Sequence, residues 1–180
     1  MRRDRAVVLL AYVAVLAACV EVPQVPIDAP VAADSGSSVP TAPVTFELPG
    51  LVSGVVQSAD FLGRPTLVVF AATYDTLSQA AVPMASAVVR RHRPRLNALL
   101  IVFEPPENRP LAAAFVAAMD VAFPVALADS EMLEGHGAFP GLRHVPSFVL
   151  LDRMGREVWR RYGLVTVEVL NAALLAHEPP

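Results

Sequence analysis

The chain has 180 residues, 54% of them hydrophobic, with a mean hydropathy of +0.50, which excludes a wholly disordered protein and leaves room for one core plus tails. Its 14 basic residues are all arginine and stand against 17 acidic ones. With no lysine, Schiff-base and lysine-nucleophile chemistry is excluded, and no basic block interleaved with aromatics marks a nucleic-acid partner.

Arg2, Arg3 and Arg5 precede an apolar run from Ala6 to Ala18 that closes on Leu16-Ala17-Ala18-Cys19. Residues 1–18 read as a secretory signal, because 13 residues fall short of the ~20 needed to cross ~30 Å of hydrocarbon as a helix. The ending resembles a bacterial lipobox, which implies cleavage before Cys19 and diacylation of its thiol. An uncleaved anchor and a plain secretory signal stand as alternatives. Acyl chains at ~0.8 kcal/mol per buried CH₂ would hold the protein on a membrane durably, and Val20 after the cysteine favours the outer over the inner membrane. Removing residues 1–18 takes three arginines and one aspartate, leaving 11 basic against 16 acidic residues and a net charge of −5. Cys19 is the only cysteine. If it carries lipid, the folded part has no thiol, disulfide or thiolate metal ligand.

Residues 19–43 form a tether. Pro23, Pro26, Pro30, Pro40 and Pro43 and the Gly36-Ser37-Ser38 stretch leave no helical or strand period, and such a composition extends at ~3 Å per residue.

The domain is expected over residues 44–180. Thr45 to Gly63 reads as two short strands around a glycine turn and then a helical turn, an N-terminal β-hairpin. Thr66 to Ala71 is a continuous apolar run, expected of an inner strand covered on both faces. A helix follows from about Thr76 to Arg91, with Leu77, Ala81, Met84 and Val88 at helical spacing and a kink expected at Pro83. Asn97 to Phe103 is the next buried strand. Arg109-Pro110 opens a helix with proline at its first turn, Phe123 to Ala128 is a short strand, and a short helix is expected around Glu131 to Gly135. Ser147 to Leu151 and Glu157 to Tyr162 form a hairpin turning at Asp152 to Arg156, and Val165 to Ala176 is the last helix. The fold class is α/β, a mixed sheet with helices on both faces.

The junction between the first long strand and helix faces backbone N–H groups and a positive helix end toward solvent, where chemistry often collects. It offers Asp75 and Ser78. An N-cap accounts for this spacing without any chemistry, at ~1 kcal/mol. A catalytic serine needs a base, and the candidates are His92, His136, His144 and His177. No metal site is expected, since one aspartate and one histidine fall short of the usual three or four ligands, and no cofactor is implied.

Several motifs in order, Phe46-Glu47-Leu48, Asp60-Phe61-Leu62-Gly63-Arg64, Leu67 to Tyr74, Pro83, and Val145-Pro146-Ser147 through Asp152 to Arg156, resemble the TlpA-type membrane-anchored thioredoxins over about Val44 to Ala176. The resemblance implies a thioredoxin-like fold with a cis Pro146. It also implies that His144-Val145-Pro146 lies near Asp75, so that an Asp75–His144 contact could serve acid–base work. In that family two redox cysteines occupy the positions of Asp75 and Ser78, a tryptophan that of Tyr74 and a glutamate that of Ala81. Disulfide exchange requires a thiolate, so the resemblance implies a fold without its activity. Copper delivery, which uses cysteine with histidine in thioredoxin-fold relatives, is disfavoured for the same reason.

The leading expectation is a lipid-anchored, redox-inactive module on the bacterial cell envelope, its domain facing the periplasm or exterior. It would bind an envelope protein or a peptide at Tyr74, Asp75, Thr76, His144, Val145 and Pro146 by strand addition. The alternative is an envelope enzyme with a non-thiol or partner-dependent activity at Asp75, Ser78 and His144. Phe148, Trp159 and Tyr162 are expected in the core, and His136 with Phe139-Pro140-Gly141 at the border of the same groove.

Overall fold

A computed structural model describes residues 42–52 and 54–177. The signal segment, Cys19 and nearly all of the tether lie outside the described residues. The elements are β1 (Glu47–Pro49), β2 (Val55–Gln57), β3 (Thr66–Ala71), α1 (Thr76–His92), β4 (Asn97–Val102), α2 (Arg109–Ala118), β5 (Val125–Leu127), α3 (Ser130–Leu133), β6 (Ser147–Leu151), β7 (Glu157–Tyr162) and α4 (Val167–Ala176). The main sheet has the order β5-β4-β3-β6-β7, while β1 and β2 pair separately as an antiparallel hairpin.

All six side chains of β3 are buried, as the unbroken apolar run requires of a strand covered on both faces. β3 runs parallel to β4, with Val68 opposite Leu99, and antiparallel to β6, with Val68 opposite Val149. Alternation along the strand divides the core. Leu67, Val69 and Ala71 face a layer formed by α1, α2 and α4 through Val82, Ala85, Phe115 and Leu170. Val68 and Phe70 face Leu48, Phe61, Met132, Phe139 and Leu142, contributed by the N-terminal hairpin, the turn after it, α3 and the connection that follows. Helices therefore flank both faces, but the three long ones share a single face.

Several boundaries and placements depart from the sequence-based expectations. Helix α1 runs through Pro83 as expected and ends one residue later than expected, at His92; Pro83 is exposed, so its ring sits on the solvent side. Helix α3 stops at Leu133 because Gly135 follows at φ +82°, a left-handed conformation that ends helices. Helix α4 begins at Val167, where Thr166 caps it by accepting the Val169 N–H. Phe139 does not border a groove. It is fully buried, edge-on to Phe70 at 5.1 Å and tilted against Phe46 at 6.0 Å. Phe148 is buried and Trp159 packs at the margin of the core, but Tyr162 is half exposed, because it ends the outermost strand.

Loop ends are tied by short polar contacts. In the β6–β7 turn, Asp152 accepts the Met154 and Arg156 N–H groups on Oδ1 and the Arg156 guanidinium on Oδ2, at 2.7–2.9 Å. Partial burial pushes this carboxyl up, but the Arg156 and Met154 hydrogen bonds outweigh it and hold it below its ordinary value. Gly155 completes the turn at φ +77°, and its carbonyl accepts the Val44 N–H at 2.8 Å. On the far side of the sheet, the Leu51 N–H donates to the Val125 carbonyl at 2.9 Å and Gly50 bridges Ala126, so the N-terminal hairpin covers the β5 edge.

Truncating Phe139 removes an aromatic side chain that joins the hairpin to the central strand, and Phe139→Ala is expected to lower unfolding free energy by about 3–5 kcal/mol. Urea denaturation followed by circular dichroism reads this directly.

Candidate functional site

Strand β3 ends at Ala71 and its chain passes through Ala72-Thr73-Tyr74 into Asp75, which has extended dihedrals (φ −99°, ψ 119°) and caps α1. The Asp75 Oδ2 accepts both the Ser78 N–H and the Ser78 hydroxyl, each at 2.7 Å. The Ser78 Oγ in turn accepts the Ala72 N–H at 3.2 Å. Ser78 is fully buried. The pair thus forms a latch from the end of β3 to the first turn of α1, satisfying the Ser78 N–H that the helix start leaves orphaned and the buried Ala72 N–H just past the strand. The serine hydroxyl has its proton directed at a carboxylate, its lone pair engaged, and no route to solvent. That geometry suits a cap, not a nucleophile.

A second carboxylate holds the same junction. Glu104, two residues past the end of β4 and only 2% exposed, accepts the Thr73 N–H at 3.1 Å and the Thr73 hydroxyl on Oε1, and the Asn108 side-chain amide at 2.9 Å on Oε2. It joins the loop before α1 to the loop before α2. Burying a carboxylate is costly without such donors, and here three donors converge on it. Sequence reasoning passed over Glu104. The available signal was an acidic residue closing the apolar run Asn97 to Phe103 at the carboxyl end of a parallel strand, the end where ligands and polar groups gather in α/β sheets.

The loop before β6 borders this junction because Phe70 pairs with Ser147, which brings the residues preceding Ser147 alongside those following Phe70. The Val145–Pro146 peptide is cis. The Pro146 carbonyl accepts the Gly163 N–H at 2.8 Å and the His144 carbonyl accepts the Ser147 hydroxyl at 2.5 Å. Pro146 is buried, Val145 half-buried and His144 exposed.

The expected Asp75–His144 contact does not form as a hydrogen bond or ion pair among the described residues. Asp75 is turned to Ser78, and the His144 ring stands edge-on to Tyr162 of β7 with centroids 6.1 Å apart. The other histidines are no closer to a base role. His92 bonds Asn171 of α4 at 2.9 Å, and His136 lies exposed in the connection after α3. Among the described residues no three histidine, aspartate or glutamate side chains are grouped to hold a metal. What the junction does present to solvent is apolar and aromatic: Tyr74 is 77% exposed and Leu77 half exposed beside it, with Tyr162 on the neighbouring strand end.

No family model matches the chain, and no curated protein matches it by sequence. Solved structures do resemble it. A DsbF homologue from Corynebacterium diphtheriae aligns with a TM-score of 0.67 at 17% identity, over 75% of this chain and 86% of that one. A thiol:disulfide interchange protein of the thioredoxin family from Chlorobium tepidum TLS aligns at 0.66 and 17%, over 78% and 98%. The pneumococcal exposed lipoprotein thioredoxin Etrx1 from Streptococcus pneumoniae strain TIGR4 aligns at 0.62 and 19%, over 73% and 98%. The fold is thioredoxin-like, a mixed sheet flanked by helices.

The two acidic ties differ in what their removal exposes. Asp75→Ala is expected to cost about 1–2 kcal/mol as a lost cap, and Glu104→Ala about 1–3 kcal/mol because the half-buried Thr73 N–H and hydroxyl and the Asn108 amide lose their acceptor. Chemical denaturation of both variants measures this, and a Glu104→Ala protein as stable as wild type would remove the glutamate from the account.

Proposed function

We propose that this protein is a lipid-anchored, redox-inactive thioredoxin-fold module of the bacterial cell envelope, lying on the outer more than the inner membrane. In this reading it binds a protein or peptide at the surface made by Tyr74, Asp75, Thr76, His144, Val145 and Pro146. The observation that carries the reading is the Asp75–Ser78 latch. Both first-turn positions that hold thiols in TlpA-type thioredoxins are occupied by a carboxylate and a hydroxyl bonded to each other, and no pair of oxygens exchanges disulfides. The likeness to thiol:disulfide interchange proteins and to an exposed lipoprotein thioredoxin supports the envelope setting, and the Leu16-Ala17-Ala18-Cys19 ending supports the anchor. Exposed Tyr74, Leu77 and Tyr162 beside the Val145–Pro146 loop offer the apolar contacts that an extended peptide would need. The buried, doubly bonded Ser78 counts against the enzymatic alternative.

Insulin reduction by the purified protein is expected to equal buffer, and measurable turnover would sink the inactive reading. The double variant Asp75→Cys, Ser78→Cys is expected to form a disulfide reducible by dithiothreitol, since the native side chains already meet at 2.7 Å and a bridge needs Cβ atoms within about 4.5 Å. Radiolabelled palmitate is expected to mark the wild-type protein in bacteria and to be lost in Cys19→Ala; label persisting in that variant would refute lipidation at Cys19.

A further inference from the structure

The end of the sheet opposite the latch carries a concentration of positive charge on a chain whose net charge is negative. Helix α1 ends in Arg90, Arg91 and His92, the connection to β4 adds Arg93 and Arg95, and Arg64 and Arg153 flank the starts of β3 and β7. The six arginines other than Arg156 at this pole are all exposed. Two cavities open among them, of about 430 and 380 Å³, with Arg64, Pro94 and Leu96 lining both. Asp60 is the one acid among the described lining residues, and the neighbouring Asp152 is taken up by Arg156. Arg64 and Arg93 are braced, donating to the carbonyls of Pro94 at 2.8 Å and Ala122 at 2.6 Å. Arg90, Arg91, Arg95 and Arg153 have no side-chain partner among the described residues.

The same pole exposes two large apolar side chains. Leu62 is 52% and Met154 62% exposed, on adjacent turns linked by the Gly63 N–H to the Arg153 carbonyl at 2.9 Å. It is also where the described chain begins: Val44 is bonded to Gly155, and a Cβ on Gly155 would lie 3.2 Å from Leu62 and 3.9 Å from Pro43. Pro43 and Val44, near the start of the described residues, therefore lie beside Gly155 and Leu62 at this pole.

We propose that this pole docks on an anionic membrane surface, with Arg91, Arg95 and Arg153 meeting lipid phosphates and Leu62 and Met154 entering the headgroup boundary. The orientation rests on the lipid anchoring proposed above. Arginines among exposed apolar side chains match a surface that offers anions over hydrocarbon, and the described residues begin at this same pole, so the anchor proposed at Cys19 joins the domain on this side. The Tyr74 surface, at the other end of the sheet, then faces away from the lipid.

The test uses residues 19–180 carrying Cys19→Ala, the expected mature chain, so that neither the Arg2–Ala18 signal segment nor an acyl group contributes. Vesicles of phosphatidylcholine with phosphatidylglycerol are compared with pure phosphatidylcholine. Binding is expected to be stronger with phosphatidylglycerol and to weaken as salt is raised. Each arginine near an anionic surface contributes roughly a fivefold factor, so Arg91→Gln, Arg95→Gln, Arg153→Gln together are expected to weaken binding at least about tenfold, and Arg153→Glu alone in the same direction. Arg143→Gln, on the connection before β6, is expected to leave it unchanged. An environment-sensitive dye on Met154→Cys is expected to shift to the blue with these vesicles, and the same dye on Tyr74→Cys to stay put. Equal binding by the Cys19→Ala chain and its triple-arginine variant, or a blue shift at position 74 without one at 154, would overturn the proposal. Because none of these chains is acylated, the result is independent of lipidation at Cys19, which palmitate labelling decides.

Discussion

Strand β3 is the constraint on which everything else depends. Its six side chains are all buried and it pairs on both edges, so its register decides which apolar set meets which layer. A slip of one residue would send Phe70 toward the helices and Val69 toward the hairpin. Phe70 could not be accommodated there, since its ring is held edge-on by Phe103 and Phe139. The junction at Ala72 to Asp75 inherits its position from this strand, as does the loop before β6, because both leave the sheet at the level of the Phe70–Ser147 pair.

At that junction two carboxylates hold the turn. Asp75 closes the gap between the strand end and the helix, and Glu104 closes the gap between neighbouring loops. A site built for exchange has to leave a nucleophile exposed and a bond ready to break. Here the N–H and hydroxyl groups of Ser78 and Thr73 are all engaged in hydrogen bonds that stabilise one conformation, and a satisfied network of this kind fixes a structure.

The sequence made the order of elements legible because the inner strands are unbroken apolar runs and the turns carry glycine, proline or aspartate. Asp75 as a cap was equally legible, being a local relation between residues three apart. What could not be read is non-local. Glu104 acquires its meaning from Thr73, 31 residues earlier, and nothing in periodicity links them. Phe139 looked like a loop residue because it follows a short helix and a glycine; its burial follows from the N-terminal hairpin, which supplies Phe46 as a neighbour. The Asp75–His144 expectation failed on side-chain direction, since register brings the two loops together but Tyr162 and Ser78 orient the rings and carboxylate apart.

The hairpin formed by β1 and β2 has a consequence for how copies of the protein can meet. By covering β5 through Gly50 and Leu51, it leaves β7 as the sheet's open margin among the described residues. A sheet with two free margins can add copies indefinitely, whereas one with a single free margin can join one other copy and then stops. Wherever such chains are crowded together, a sheet of this kind can be held densely without growing into a polymer.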